Sequence, residues 1–345
     1  MRNISLVILF FLSYSCTSMS QERRDSVINT SDSISCQKDS IITSRLTLLF
    51  AGDLMQHQAQ INAARTSTGY DYSDCFKFVK EEINRADIAI ANLEVTLGGK
   101  PYRGYPAFSA PDEYLFAIRD AGFDVLITAN NHCLDKGKKG LERTLLMLDS
   151  LQIPHAGTYV NTESREQQYP LLLEKNGFRI ALLNYTYGTN GIKVISPNVV
   201  NYIDKAVMAQ DIEAARAQHP DALIACMHWG DEYQSLPNKE QKNLTDWLLQ
   251  QGVTHIIGSH PHVVQPMELR TDSITGNQHV VVYSLGNFIS NMSARHTDGG
   301  LLFKLELEKD SVTRVANCGY SLVWTSRPVL SRKKNHILYP IKSVT

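Results

Sequence analysis

Residues 254–268 read THIIGSHPHVVQPME, with His260 and His262 set one residue apart behind an apolar run. Five other apolar runs end in the same way. LTLLFAG ends in Asp53, DIAIA in Asn92-Leu93-Glu94, and DVLITA in Asn130-Asn131-His132. ALIACM ends in His228 and HVVVYSLG in Asn287. A lone histidine at a strand end is more often a satisfied core residue than a ligand. Six strand ends that all release carboxylate, carboxamide or imidazole are different, because polar groups gathered at a core edge must satisfy one another or hold something. Carboxylate oxygen, amide oxygen and imidazole nitrogen without thiolate suit divalent Zn, Mn, Fe or Ni better than Ca or Mg. Pro261 stiffens the turn between the two imidazoles and makes them diverge, to serve two ions or to grip one from adjacent corners. Gly258 permits a tight turn and a close approach.

These residues need a scaffold that brings strand ends together. From residue 45 the chain alternates strand-like apolar runs with amphipathic helical stretches. Strands are expected at 46–51, 87–91, 124–129, 179–185, 222–227 and through THIIG, and helices at 75–85, 112–122, 138–151 and 239–251. Leu141, Leu145 and Leu148 repeat on one helical face. Strand–helix alternation implies an α/β core with parallel strands, and in such sheets ligands bind at the carboxyl edge. The strand-rich end, HVVVYSL then LLFKLELE, implies a mixed sheet or two sheets.

Bulk properties bound the function. The chain has 345 residues, 43 % hydrophobic and 20 % charged, with a formal net charge of -1. That is ordinary globular composition, and no basic field argues for a nucleic-acid partner. Residues 1–16 read as a signal peptide of lipoprotein type: Arg2, then the apolar run Ile4 to Leu12, then SYSC ending at Cys16. A lipid on Cys16 would hold the chain on a membrane; the alternative is a plain secretory signal with an incidental cysteine. Residues 17–44, rich in Ser, Thr and charge, read as a flexible tether, and 45–345 as one domain. The six cysteines include no CxxC, so a thiolate zinc site is not expected, nor a disulfide framework.

Several motifs together resemble the CapA family of bacterial capsule or poly-γ-glutamate synthesis proteins. They are GD (52–53), NLE (92–94), YPAFSAP (105–111), ANNHCLDKG (129–137), HWG (228–230), GSHPHVVQPME (258–268) and YSLGNF (283–288). Their order and spacing match from about residue 45 to about residue 305. That family is similar in turn to the calcineurin-like metallophosphoesterases, which implies a four-layer α/β/β/α sandwich with two mixed sheets. It also implies one or two divalent transition-metal ions (Zn, Mn or Fe) on Asp53, Asn131, His228, His260 and His262. Glu94 would stand in for the bridging carboxylate, and His132 would act on the leaving group. Two departures weaken the analogy. Met55 stands where such enzymes carry a histidine two residues after the aspartate, and Asn-Leu-Glu replaces their second Gly-Asp. His57 comes four residues after Asp53 and is not expected to be a ligand.

The resemblance thus implies an envelope protein of capsule or polyglutamate synthesis, working with synthesis or export machinery. Its metal site would hydrolyse a phosphoester or an anionic polymer. The alternatives are a non-catalytic factor that binds and exports such a polymer, and an envelope lipoprotein whose metal serves only the fold. His132 is the catalytic candidate, and Asn92, Arg103 and Asn287 are assigned to substrate binding. Asp135 and Glu268 are candidates for orienting the imidazoles, Cys133 is read as packing, and Trp229 as pocket wall or core.

Overall fold

A computed structural model describes residues 43–341. The segments expected to be a signal peptide ending at Cys16 and a tether over 17–44 lie outside these residues, save the last two positions of the latter. Within them the strand-like runs assemble into two sheets. The first has the order β16 (Ile337–Ile341), β15 (Thr313–Ser326), β14 (Gly299–Lys309), β1 (Ser44–Leu54), β2 (Ile88–Leu93), β3 (Val125–Ile127) and β4 (His155–Ala156). β13 (Asn287–Ile289) pairs with the end of β1. The second has the order β11 (Met267–Thr271), β12 (Gln278–Val282), β10 (His255–Ser259), β9 (Ala222–His228), β7 (Phe178–Thr186) and β6 (Leu171–Lys175). A short ribbon joins β5 (Thr158–Tyr159) to β8 (Val199–Val200). β1 through β4 run parallel, as do β7, β9, β10 and β12, while β6, β11 and β14 through β16 add antiparallel neighbours. Both sheets are therefore mixed.

Alternation along β1 explains the layering. Leu46, Leu48 and Phe50 pack inward with Ile180, Leu182, Ile224, Cys226 and Ile257 of the second sheet. Leu49 and Ala51 face the other way, toward α3 (Asp112–Ala121) and the helical layer outside. The outer helices on that side also include α1 (Gln58–Ala64), α2 (Lys80–Ile83) and α4 (Gly137–Ser150), with α5 (Thr162–Gln168) following β5. The far face of the second sheet buries Met208 and Ile212 of α6 (Lys205–Arg216), and Leu244 and Leu248 of α7 (Lys239–Gln251). A one-turn helix, α8 (Pro328–Ser331), links β15 to β16. The order is helix, sheet, sheet, helix.

Most expected elements form within a residue or two. α3 closes at Gly122 with φ +107, a left-handed cap that glycine adopts without strain. The helix expected over 75–85 is corrected: only Lys80–Ile83 is regular helix. The Cys75 carbonyl accepts the Leu338 N–H of β16 at 2.9 Å, and Val79 N–H turns back three residues to Phe76 O. Phe76 meanwhile stacks on Phe288 with ring centroids 6.2 Å apart. Tertiary partners have taken the groups a helical ladder would use. Cys75, Cys133, Cys226 and Cys318 are free thiols. Cys226 is buried between the sheets, and Cys133 packs with Leu134, Leu141 and Leu145.

A candidate metal centre

Parallel strands from both sheets point their carboxyl ends to one edge. β1 delivers Asp53, β2 delivers Asn92 and leads into Glu94, and β3 leads into Asn130-Asn131-His132. β9 ends on His228, and β10 ends at Ser259, just before His260 and His262. Two glycines let the strands close up beneath the site. A Cβ at Gly52 would sit 1.9 Å from Gly286 O, and one at Gly258 would sit 2.0 Å from Tyr283 O. The turn after β10 holds both histidines in unusual backbone, with φ +99 at His260 and +60 at His262. Such conformations persist in non-glycine residues where the surroundings impose them, often at functional sites.

Glu94 sits at the centre, 0 % exposed, and neither of its carboxylate oxygens has a hydrogen-bond partner among the described residues. Its Oε1 lies 3.7 Å from His228 Nε2 and 3.8 Å from His262 Nε2. Both gaps are too long for hydrogen bonds. Two ligand atoms about 2.1 Å from one zinc ion stand about 3.4 Å apart in tetrahedral geometry, so the gaps match a cation between them. His260 Nδ1 is likewise buried without a partner. Ligand atoms of Glu94, His260 and His262 fall within 4.8 Å of one another, as do those of Asp53, Glu94 and His228. Glu94 belongs to both groups, the place a bridging carboxylate would take.

The surroundings hold these donors ready. His262 Nδ1 donates to Asn287 Oδ1 at 3.0 Å and lies 3.1 Å from Asp53 Oδ2, which turns Nε2 toward Glu94. Asn92 Nδ2 donates to Asp53 Oδ1 at 2.8 Å and lies 3.3 Å from His228 Nδ1. Asn131 Oδ1 is 2.8 Å from His228 Nε2. His132 Nδ1 pairs with Asp135 Oδ2 at 2.8 Å, and its ring meets Phe108 edge-on.

Charge follows from this packing. Burial lowers the His228 pKa well below the usual imidazole value, with the His260 and His262 rings adding to it. Burial, aided by His262, brings His260 down to about 3. Burial thus favours the neutral form of the His228 and His260 rings, the form that can ligate a cation. Burial raises the Glu94 pKa well above the carboxylate range, and the neighbouring Asp53 charge raises it further. Burial also acts to raise Asp53, but the hydrogen bond and charge of His262 outweigh it and hold that carboxyl below its usual value. A buried carboxylate without a donor, set beside the imidazoles of His228 and His260, fits a divalent cation, whose charge would relieve the cost of burying Glu94 ionised.

The structure thus gathers Asp53, Glu94, Asn131, His228, His260 and His262 into one buried edge, with Asp135 bound to His132 beside Phe108. Asn92 and Asn287, assigned to substrate binding, lie beneath the donor cluster. Both are 0 % exposed, and their amides are spent on site residues and backbone: Asn92 on Asp53 and Asn130, Asn287 on His262 and Thr297 O. Those bonds brace the Asp53 and His262 side chains. Arg103 is exposed on the loop that carries Phe108, its backbone paired with Ser109. Glu268 is removed from any orienting role, since its carboxylate pairs with Arg270 at 2.6 Å. His57 stays outside both donor groups, its backbone N–H bonded to Gln60 Oε1 at 2.8 Å. Trp229 is core, donating to Tyr283 O at 3.0 Å. Sequence reasoning missed Tyr187, whose half-exposed ring lies 4.5 Å from that of His260. It also missed Asn130 as a brace, donating to Leu93 O at 2.8 Å. The apolar run that ends NYTYG was the available signal for Tyr187; nothing local marked Asn130 apart from its neighbours.

Two mixed sheets face to face, helices outside, and a donor cluster at the carboxyl edge define a protein of calcineurin-like metallophosphoesterase fold. Haemophilus influenzae NAD nucleotidase has a similar fold: TM-score 0.50 and 13 % identity, over 88 % of this chain and 61 % of that one. The chain belongs to the bacterial capsule synthesis protein PGA_cap family, whose profile matches residues 47–292. It is 26 % identical over 287 residues to the capsule biosynthesis protein CapA of Bacillus anthracis, covering 79 % of this chain and 66 % of that protein. To the PGA biosynthesis protein CapA of Bacillus subtilis (strain 168) it is 29 % identical over 279 residues, 78 % of this chain and 70 % of that protein. The match thus spans about two thirds of the relatives' own length.

Proposed function

We propose that this chain is a metal-dependent hydrolase of the bacterial envelope, acting in capsule or poly-γ-glutamate synthesis on a phosphoester or on an anionic polymer. In this reading Cys16 carries the lipid that holds the exported chain on a membrane, and capsule synthesis or export machinery is its partner. The observation that carries the reading is Glu94: a fully buried carboxylate with no donor, set between two Nε2 atoms at 3.7 and 3.8 Å. Asp53, Glu94, Asn131, His228, His260 and His262 would hold one or two divalent ions. When bound, such an ion supplies Lewis acidity toward a substrate oxygen and lowers the pKa of water. His132 keeps Nδ1 on Asp135, which leaves Nε2 to give a proton to a leaving group. Asp135 steadies the imidazolium before that transfer. Phe108 and Tyr187 flank the imidazoles and limit water, and Arg103 on the same loop offers a planar cation to a phosphate or carboxylate.

The test begins with metal content by mass spectrometry, in the wild type and in His260→Ala/His262→Ala. Stoichiometric metal lost in a still-folded double variant, together with hydrolysis of phosphoester or γ-glutamyl substrates, supports the reading. A chain that stays metal-free after exposure to Zn, Mn and Fe sinks it.

One observation favours a non-catalytic second reading. Met55 is buried where metallophosphoesterases present another imidazole, so Asp53 has fewer nitrogen partners. A metal-loaded wild type that binds polyglutamate without turnover, and binds it equally well as His132→Ala, would establish that accessory role.

A further inference from the structure

The charge of the chain is unevenly placed. Residues 311–345 contain six Lys and Arg and no Asp or Glu, which leaves 28 cations against 35 acids in residues 1–310. The centre of that basic segment is α8 and the turn after it, RPVLSRKK (327–334). Val329 is 85 % exposed and Leu330 59 %. Single exposed aliphatics occur elsewhere in the chain, but here two adjacent ones adjoin an apolar groove, and contiguous apolar surface marks contact sites. They stand on a built turn: Pro328 opens it, and Arg332 N–H closes it on Pro328 O at 2.9 Å. Arg332, Lys333 and Lys334, all exposed, follow directly. A groove of about 610 Å³ opens alongside, walled by Trp324, Leu330, Tyr339, Pro340 and Ile341.

We infer that the α8 turn is a membrane-docking element, in which Val329 and Leu330 enter the acyl boundary of an anionic bilayer while Arg332, Lys333 and Lys334 meet its headgroups. The occupant follows from charge and shape. An apolar tip with a cationic collar matches the depth profile of a lipid interface, aliphatic below and phosphate above, and long cationic stems reach from one zone to the other. At four residues α8 is far too short to span a bilayer, so the proposed contact is with its surface.

The docking turn shares an edge with the metal centre. β15 runs antiparallel to β14, and its last residues pair where β14 begins: Trp324 lies opposite Gly299. The adjoining Gly300 bridges Gly286, beside the β13 strand that registers Asn287 against Asp53. His336 Nε2, 2.8 Å from Asn291 Oδ1, ties the segment after α8 to the same loops. A bilayer held at α8 therefore adjoins the edge where the histidines converge.

Sedimentation of the full-length chain with vesicles tests this, using phosphatidylcholine alone against phosphatidylcholine with phosphatidylglycerol. Any N-terminal anchor contributes to both mixtures, so the difference between them reads the basic turn. We expect binding to the anionic vesicles to be tighter by roughly tenfold or more, and added salt to erase the gain. Val329→Ser/Leu330→Ser should weaken binding to both, and Arg332→Gln/Lys333→Gln/Lys334→Gln should remove the preference for anionic lipid. In Val329→Trp, the new indole should be quenched by lipids brominated on their acyl chains. Equal binding to both vesicle types, unchanged binding in both variants, or an unquenched indole overturns the assignment. So does a dimer of the wild type that Val329→Ser/Leu330→Ser dissolves, since a second copy would then cover the face.

Discussion

Asp135 holds His132 at 2.8 Å through Nδ1 and accepts the Phe108 backbone N–H with the same oxygen, also at 2.8 Å. One carboxylate thus fixes both the imidazole and the loop whose ring lies against it. If His132 serves the leaving group, His132→Ala lowers kcat on a phosphoester roughly hundredfold or more, while metal content stays unchanged. Asp135→Asn keeps the shape but loses the charge, and should cost roughly ten- to hundredfold in kcat with KM little changed. Steady-state kinetics on both variants, read beside metal analysis, check this. Unaltered kcat in His132→Ala excludes it from the chemistry.

Glu94 makes opposite demands on the metal-free and metal-bound protein. Without a cation, its ionised form is buried beside Asp53 with no donor. Glu94→Gln removes the charge at nearly constant volume, so the metal-free variant should be more stable than metal-free wild type, by about 1–3 kcal/mol. Added Zn or Mn should raise the wild-type Tm by mass action and leave that of Glu94→Gln nearly still. Paired thermal melts with chelator and with metal read both halves. A destabilised metal-free Glu94→Gln would mean that the carboxylate has a partner in solution.

His260 combines a ligand role with an adverse backbone, and the two can be separated. Its φ of +99 suits glycine and strains any residue that bears a Cβ. His260→Gly and His260→Ala lose the same imidazole, yet the glycine variant should be the more stable, by about 1 kcal/mol. Denaturant unfolding in chelator isolates the backbone term, because metal affinity no longer enters. Equal stability of the two would mean that the turn relaxes once the side chain is gone.

The framework of this site could be read from the chain because its signals are local. Five apolar runs of strand length led into donor residues that meet at one edge; the sixth differs, because the strand of HVVVYSLG stops at Val282 and Asn287 instead opens β13 in the other sheet. What stayed hidden depends on contacts far along the chain. Asn92 and Asn287 stand among the donors in sequence, but their amides are used by Asp53 and His262, and only the assembled edge shows it. The helix expected near Cys75 was lost to Leu338, more than 260 residues away. α6 had its own signal in the Asp204 side chain, which accepts from Ala206 and Val207 N–H, with Met208, Ile212 and Ala215 on the buried face. Its apolar stripe is thin and interrupted by charge, which leaves it quiet beside α4 and α7.

His255 offers a pH test away from the donor cluster. Its Nδ1 accepts the Val280 N–H at 3.1 Å, so the folded state needs that lone pair. Burial, with a smaller contribution from His279, brings its pKa down to about 3 from an unfolded value near 6.5. Between those values the unfolded chain binds the proton and the folded chain does not. The stabilising contribution is therefore complete above pH 6.5 and drains away as pH falls toward 3, by about 1.4 kcal/mol per pH unit. His255→Asn keeps an acceptor near the Nδ1 position and does not titrate. Urea unfolding of wild type and variant from pH 7.5 to 4.5 should show the two free energies converging as pH drops below 6.5, other buried histidines cancelling in the difference. Parallel curves would mean that His255 takes up its proton as readily folded as unfolded, and that the Val280 contact does not depend on the lone pair.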